Sequence, residues 1–67
     1  MIKRKSLGQK IKKLREDRNL TQVELAVITN LSTTYIGFLE NNRRKPTLKT
    51  LERIARALKV KPSDLLS

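Results

Sequence analysis

The 67-residue sequence has no cysteine and no histidine. Without cysteine there is no disulfide framework and no thiolate chemistry, and a reducing compartment suits the chain. Without either residue the usual zinc-ligand sets are lost, and with histidine goes the commonest general base. Nothing remains to activate a serine or tyrosine, so an enzyme is not expected. Acidic residues are few: 6 Asp and Glu stand against 16 Lys and Arg, a formal charge of +10. Long apolar runs are missing as well. The longest is Leu25, Ala26, Val27, Ile28, far short of the roughly 20 residues that cross a bilayer. Met1 to Lys5 begins like the charged start of a signal peptide, but Leu7, Gly8, Gln9, Lys10 puts no apolar region behind it. These absences leave a small module with an anionic partner, and no metal, cofactor, small-molecule ligand or membrane role is expected.

What is present is helical periodicity. The length fits one domain, residues 1–67, with a basic arm over 1–5 and a core over 6–66. Leu7, Ile11 and Leu14 recur at four and three and place a helix over 6–18, with Ser6 and Gln9 as its capping box. Asn19 can adopt the left-handed conformation that ends a helix. Thr21 and Glu24 form a second capping box, so the next helix starts at Gln22 and runs to about Thr29. Asn30 and Leu31 make a short turn, and Ser32 caps a third helix from Thr33 to about Asn41. Pro46 breaks the chain after a polar loop, and Thr47 caps a fourth helix carrying Leu48, Leu51, Ile54, Ala55 and Leu58. Pro62 opens a short fifth, in which Leu65 and Leu66 close the core, form a dimer seam, or do one each. The expected fold class is all-α: a compact five-helix domain with a helix-turn-helix at helices two and three.

Charge brackets that helix-turn-helix. Eight basic residues lie between Lys3 and Arg18, eight between Arg43 and Lys61, and none from Asn19 to Asn42. Such a division matches a reader of duplex DNA, in which cations hold phosphates and uncharged side chains meet base edges. On a helical wheel Tyr35, Ile36 and Leu39 face the core, leaving Thr33, Thr34, Gly37 and Asn41 outward with Phe38 at the edge. Thr33 and Thr34 stand in the first turn, where a groove-bound helix presents its residues to bases. Gly37 costs about 1 kcal/mol of helix propensity relative to Ala. Either close backbone approach to DNA or internal packing explains it.

The segments Leu20-Thr21-Gln22-Val23-Glu24-Leu25-Ala26, Asn30-Leu31-Ser32, Tyr35-Ile36, Leu39-Glu40 and Pro46-Thr47-Leu48 together resemble the phage repressor and Cro-like helix-turn-helix family, the Xre family. The similarity spans about residues 7–66. It implies a lambda-repressor-like domain that reads operator DNA with its third helix. Carried over by position, Thr33, Thr34 and Phe38 fall where base-contacting side chains occur, and Gly37, outward on the wheel, is expected with them. Gln22 matches the family glutamine that braces both the phosphate backbone and the recognition helix. Ser32, which matches the helix cap, and the outward Asn41 are also expected at phosphates, and Asn42, Arg43, Arg44 and Lys45 match a loop that clasps one through backbone amides and cations. The resemblance also pairs Arg15 with Glu40, an ion pair that residue-level reading does not reveal. Four positions depart from the family pattern: Asn30 stands for the usual turn glycine, Val27 and Ile28 stand where polar residues are usual, and Phe38 cannot hydrogen-bond to a base.

The expected function is therefore a sequence-specific duplex-DNA-binding transcription regulator, a repressor or autoregulator acting as a homodimer on a palindromic operator. Its expected place is the cytoplasm, on the nucleoid. The competing expectation is an adaptor that keeps the fold but binds a protein through Val23, Val27, Ile28 and Phe38. A cationic membrane-active peptide fits poorly, because the charges are spread over several capped helices.

Overall fold

The computed structural model describes residues 5–66; Met1 to Arg4 of the expected basic arm lie outside them. Five helices follow in chain order: α1 (Leu7–Asp17), α2 (Gln22–Thr29), α3 (Thr33–Glu40), α4 (Leu48–Ala57) and α5 (Pro62–Leu66). No strand occurs among the described residues, and no helix there is long and apolar enough to cross a membrane.

Side-chain caps set the starts. The Ser6 and Thr21 hydroxyls accept from the amides of Gln9 and Glu24, while the Gln9 and Glu24 side chains return to the Ser6 and Thr21 amides. Ser32 and Thr47 accept from the amides of Tyr35 and Thr50. Each such bond satisfies a donor that the first helical turn leaves without a partner. The first helix is one residue shorter than expected at both ends because Ser6 and Arg18 are its caps. The third stops at Glu40, one residue early, for the same reason at Asn41.

One device closes the first four helices. A residue turns left-handed and the next amide reaches back five positions, as in Leu20 to Arg15 (3.1 Å), Leu31 to Ala26 (2.9 Å), Arg43 to Phe38 (2.8 Å) and Val60 to Ala55 (3.0 Å). The left-handed residues are Asn19, Asn30, Asn42 and Lys59, with φ of 55°, 58°, 59° and 59°. Asn30 thus takes the conformation for which the family usually supplies glycine, and the turn survives. Lys59 is the exception to the asparagine rule. Its Cβ makes that conformation costly.

The core is built from Ile11, Leu25, Ile36, Leu39, Ile54, Leu58 and Leu65, each fully buried. α1 packs on α3 and α5, α2 on α3 and α4, and α4 on α5. Of the two leucines of α5, Leu65 closes the core and Leu66 remains 63% exposed. The result holds α3 against α1 and α2 with its first turn facing outward.

Candidate nucleic-acid interface

Thr33 and Thr34 are exposed at the start of α3, while Ile36 and Leu39 anchor the opposite side in the core. A Cβ added at Gly37 would meet no atom within 4 Å among the described residues outside its own helix's backbone, so packing against the rest of the chain gives no reason for a glycine. Phe38 is half-buried, and its carbonyl accepts from the Arg43 amide.

α3 is held in place by a charge network at its far end. The Glu40 carboxylate is buried and faces Arg15, also buried. Arg15 donates from Nε to Glu40 Oε2 at 2.6 Å, from one terminal nitrogen to Oε1 at 3.1 Å, and from the other to the Leu20 carbonyl at 2.7 Å. Gln22 Nε2 adds a third bond to the carboxylate, reaching Oε1 at 3.0 Å. One carboxylate thereby joins α1, the first residue of α2 and the last of α3. The hydrogen bond to Glu40 holds the Arg15 guanidinium above its ordinary pKa, outweighing the opposing effect of burial. Gln22 was expected both to brace this helix and to meet a phosphate. The brace is present, and its nitrogen retains a second N–H.

In the loop after α3, two of the amides expected to clasp a phosphate, those of Asn42 and Arg43, are already engaged within the chain. The amides of Asn41, Asn42 and Arg43 donate to the carbonyls of Gly37, Leu39 and Phe38, because the last turn of α3 needs donors for its carbonyls. Asn41 Nδ2 also donates to the Gly37 carbonyl, at 2.9 Å. Asn42 is taken up within the protein at both ends of its side chain: Oδ1 accepts from the Gly8 amide at 3.0 Å and Nδ2 donates to the Ser6 hydroxyl at 2.9 Å. It pins the start of α1 to the end of α3. The exposed side chains of Arg43, Arg44 and Lys45 remain, and the amides of Arg44 and Lys45 have no partner among the described residues.

Gly8 belongs to the same junction and sequence reasoning missed it. A Cβ there would lie 2.5 Å from the carbonyl oxygens of Leu39 and Glu40. The available signal was a glycine inside an otherwise well-patterned helix. Of the adaptor patch, Val23, Val27 and Ile28 are exposed by 58%, 74% and 55%. Phe38 lies on another helix and is half-buried.

The helix-turn-helix family model matches residues 11–65. The immunity repressor of Bacillus phage phi105 is 44% identical over 61 residues, which cover 91% of this chain and 42% of the repressor. The chain thus spans less than half of that relative. Among solved structures, the restriction-modification controller C.AhdI of Aeromonas hydrophila is similar at a TM-score of 0.85 and 32% identity, over 88% of this chain and 89% of that one. SinR of Bacillus subtilis, the master regulator for biofilm formation, solved in complex with DNA, gives 0.87 and 29% over 91% and 98%. With five helices in this arrangement, and with the family model matching most of its length, the chain belongs to the helix-turn-helix family of phage repressors and their Xre-like relatives.

Proposed function

We propose that the chain is a sequence-specific duplex-DNA-binding transcription regulator, a repressor that acts as a homodimer on a palindromic operator in the cytoplasm. The observation that carries this reading is the outward turn of α3. Thr33, Thr34 and Gly37 form an uncharged face on a helix fixed by Arg15, Gln22 and Glu40, and Arg43, Arg44 and Lys45 follow at its end. Threonine hydroxyls can donate to or accept from base edges, and the threonine and phenylalanine side chains can touch thymine methyls. Arg43, Arg44, Lys45, Ser32, Asn41 and the second N–H of Gln22 supply the phosphate contacts. Asn42 acts through position, by fixing the loop.

Selection of bound sequences from a random duplex pool tests the reading. A palindromic consensus with half-sites roughly 34 Å apart supports it, and recovery of unenriched DNA overturns it. Thr34→Ala is expected to cost on the order of 1 kcal/mol on the selected site and little on random DNA. An equal loss on both would remove Thr34 from the base-contacting set. Arg44→Ala should weaken all duplexes alike and lower the salt slope by about 1. Both are read from binding isotherms at several salt concentrations.

We infer a dimer seam at α5, because Leu66 is 63% exposed there and lines a largely apolar hollow with Pro46 and Leu51. Leu66→Glu removes burial of two leucines across a two-fold axis, about 3 kcal/mol of association. Sedimentation should show monomers, with affinity for the palindrome reduced and that for an isolated half-site retained. An unchanged dimer would move the seam elsewhere.

A further inference from the structure

Where the C-terminal ends of α2 and α4 meet, Ile28 and Ala57 floor an open hollow of about 540 Å³. A second hollow, of about 310 Å³, shares Ile28, Ala57 and Lys59 with the first and continues to Leu20. The rim is cationic, with Arg53, Arg56 and Lys59 along the end of α4 and Arg18 at the end of α1. No acidic residue lines either hollow. None of these four cations has an ion-pair partner among the described residues. Ile28, beside the exposed Val27, is more than half exposed.

Lys59 gives a second reason to look here. The other three left-handed helix ends use asparagine, which tolerates that conformation, whereas this end keeps a long cation in it. That cation lies on the rim of both hollows. No residue around either hollow belongs to the candidate DNA interface.

We propose that this apolar floor with its cationic rim is a docking surface for a protein partner that presents an acidic amphipathic segment. The partner's apolar side chain rests on Ile28, Ala57 and Leu20, and its carboxylates meet Arg18, Arg53, Arg56 and Lys59. Charge complementarity fixes the sign of the partner, and the floor fixes its class. A nucleic-acid backbone would satisfy the cations but leave Ile28 against phosphate and sugar. An acidic helix satisfies both parts at once. Because it shares no residue with the α3 face, the surface leaves that face available to DNA.

The probe is a synthetic peptide with Leu at i, i+3, i+4 and i+7 and Glu elsewhere, titrated into the full ¹⁵N-labelled chain. Amide shifts are expected at Ile28 to Asn30 and Arg53 to Lys59, with Thr33 to Phe38 and Arg43 to Lys45 unmoved. A peptide with Ser in place of Leu is expected to bind at least about tenfold more weakly, since it loses the apolar contact. Arg53→Glu with Arg56→Glu should likewise weaken the Leu peptide about tenfold or more, while Arg44→Glu changes it by less than about twofold. Lys59→Gly removes one rim cation and relieves the left-handed backbone, so it folds at least as well and is expected to weaken the peptide about threefold. Shifts centred on Thr33 to Lys45, equal binding of the two peptides, or no binding at millimolar peptide would each overturn the proposal. So would a random-sequence duplex that perturbs the hollow as strongly as the Leu peptide.

Discussion

Replacing Arg15 by alanine is expected to remove a large share of the protein's stability. The guanidinium makes two bonds to Glu40 and one to the Leu20 carbonyl, and both members of the pair are buried. Removing it leaves a buried carboxylate held only by Gln22. Breaking one side of such a pair costs about 3–5 kcal/mol. A domain of this size has a total stability on the order of 3–10 kcal/mol. One substitution therefore removes about a third of the margin at the least and all of it at the most, and a urea melt followed by circular dichroism should show the midpoint moved far toward low urea. Arg15→Lys keeps the charge but loses the planar fork, and should recover only part of the loss. Arg15→Met with Glu40→Leu should recover most of it, because apolar replacements leave no charge stranded. A midpoint shift worth less than about 1 kcal/mol for Arg15→Ala would show that the pair is idle. The pH behaviour follows from the same bond. A cation whose pKa is raised in the fold contributes stability below its unfolded value and loses it only as pH climbs through the raised one. Since that lies above the ordinary arginine range, mild alkali should leave this contribution in place.

The single double variant also separates stability from orientation. If it folds but binds the selected operator more weakly than the parent chain, the carboxylate sets the angle of α3 as well as its anchorage, through Gln22. Equal affinity would confine the network to stability.

The helices were legible because their signals are local. Ser6 with Gln9 and Thr21 with Glu24 are separated by three residues, and the bonds they form are the ones their spacing implies. The same holds for Asn19 and Asn30, whose short side chains suit the left-handed turns they occupy. Arg15 was legible only through family resemblance, since its partner lies 25 positions away. The side-chain partners of Asn42 were out of reach for the same reason: the resemblance puts it at a phosphate, while the bonds it makes within the chain go to Gly8 and Ser6, 34 and 36 positions distant. Of the candidate interface, the exposed threonines could be placed by the helical period alone, because Ile36 and Leu39 fix which side is inward. Lys59 gave no signal of its left-handed backbone, since lysine ordinarily avoids it.

The same substitution at the two glycines is expected to act with opposite signs. Gly8 and Gly37 both lie inside helices, so alanine improves the intrinsic propensity at each by about 1 kcal/mol. At Gly8 the new methyl would lie 2.5 Å from two carbonyl oxygens and 2.8 Å from Asn42 Oδ1. Those carbonyls belong to the last turn of α3, and the Leu39 oxygen already accepts from the Asn42 amide. Backbone held in this way cannot move aside cheaply, so α1 must shift away from α3. The shift strains the Gly8 to Asn42 bond and the Ile11 packing on the same face of α1. Overpacking costs typically 1–3 kcal/mol and occasionally more, and the carbonyl clash places this case at the upper end. After the propensity gain, Gly8→Ala should destabilise by about 2 kcal/mol, lowering Tm by roughly 8–16 °C. At Gly37 the methyl meets nothing, so Gly37→Ala should raise stability by about 0.5–1 kcal/mol. On the reading that α3 enters the groove, that more stable variant should bind its selected operator less well, because the methyl occupies space that DNA would fill. Calorimetry and binding isotherms on the two variants decide the matter together. A Gly8→Ala protein as stable as the parent would refute the tight α1 to α3 contact, and a Gly37→Ala protein with undiminished operator affinity would place the DNA elsewhere on the helix.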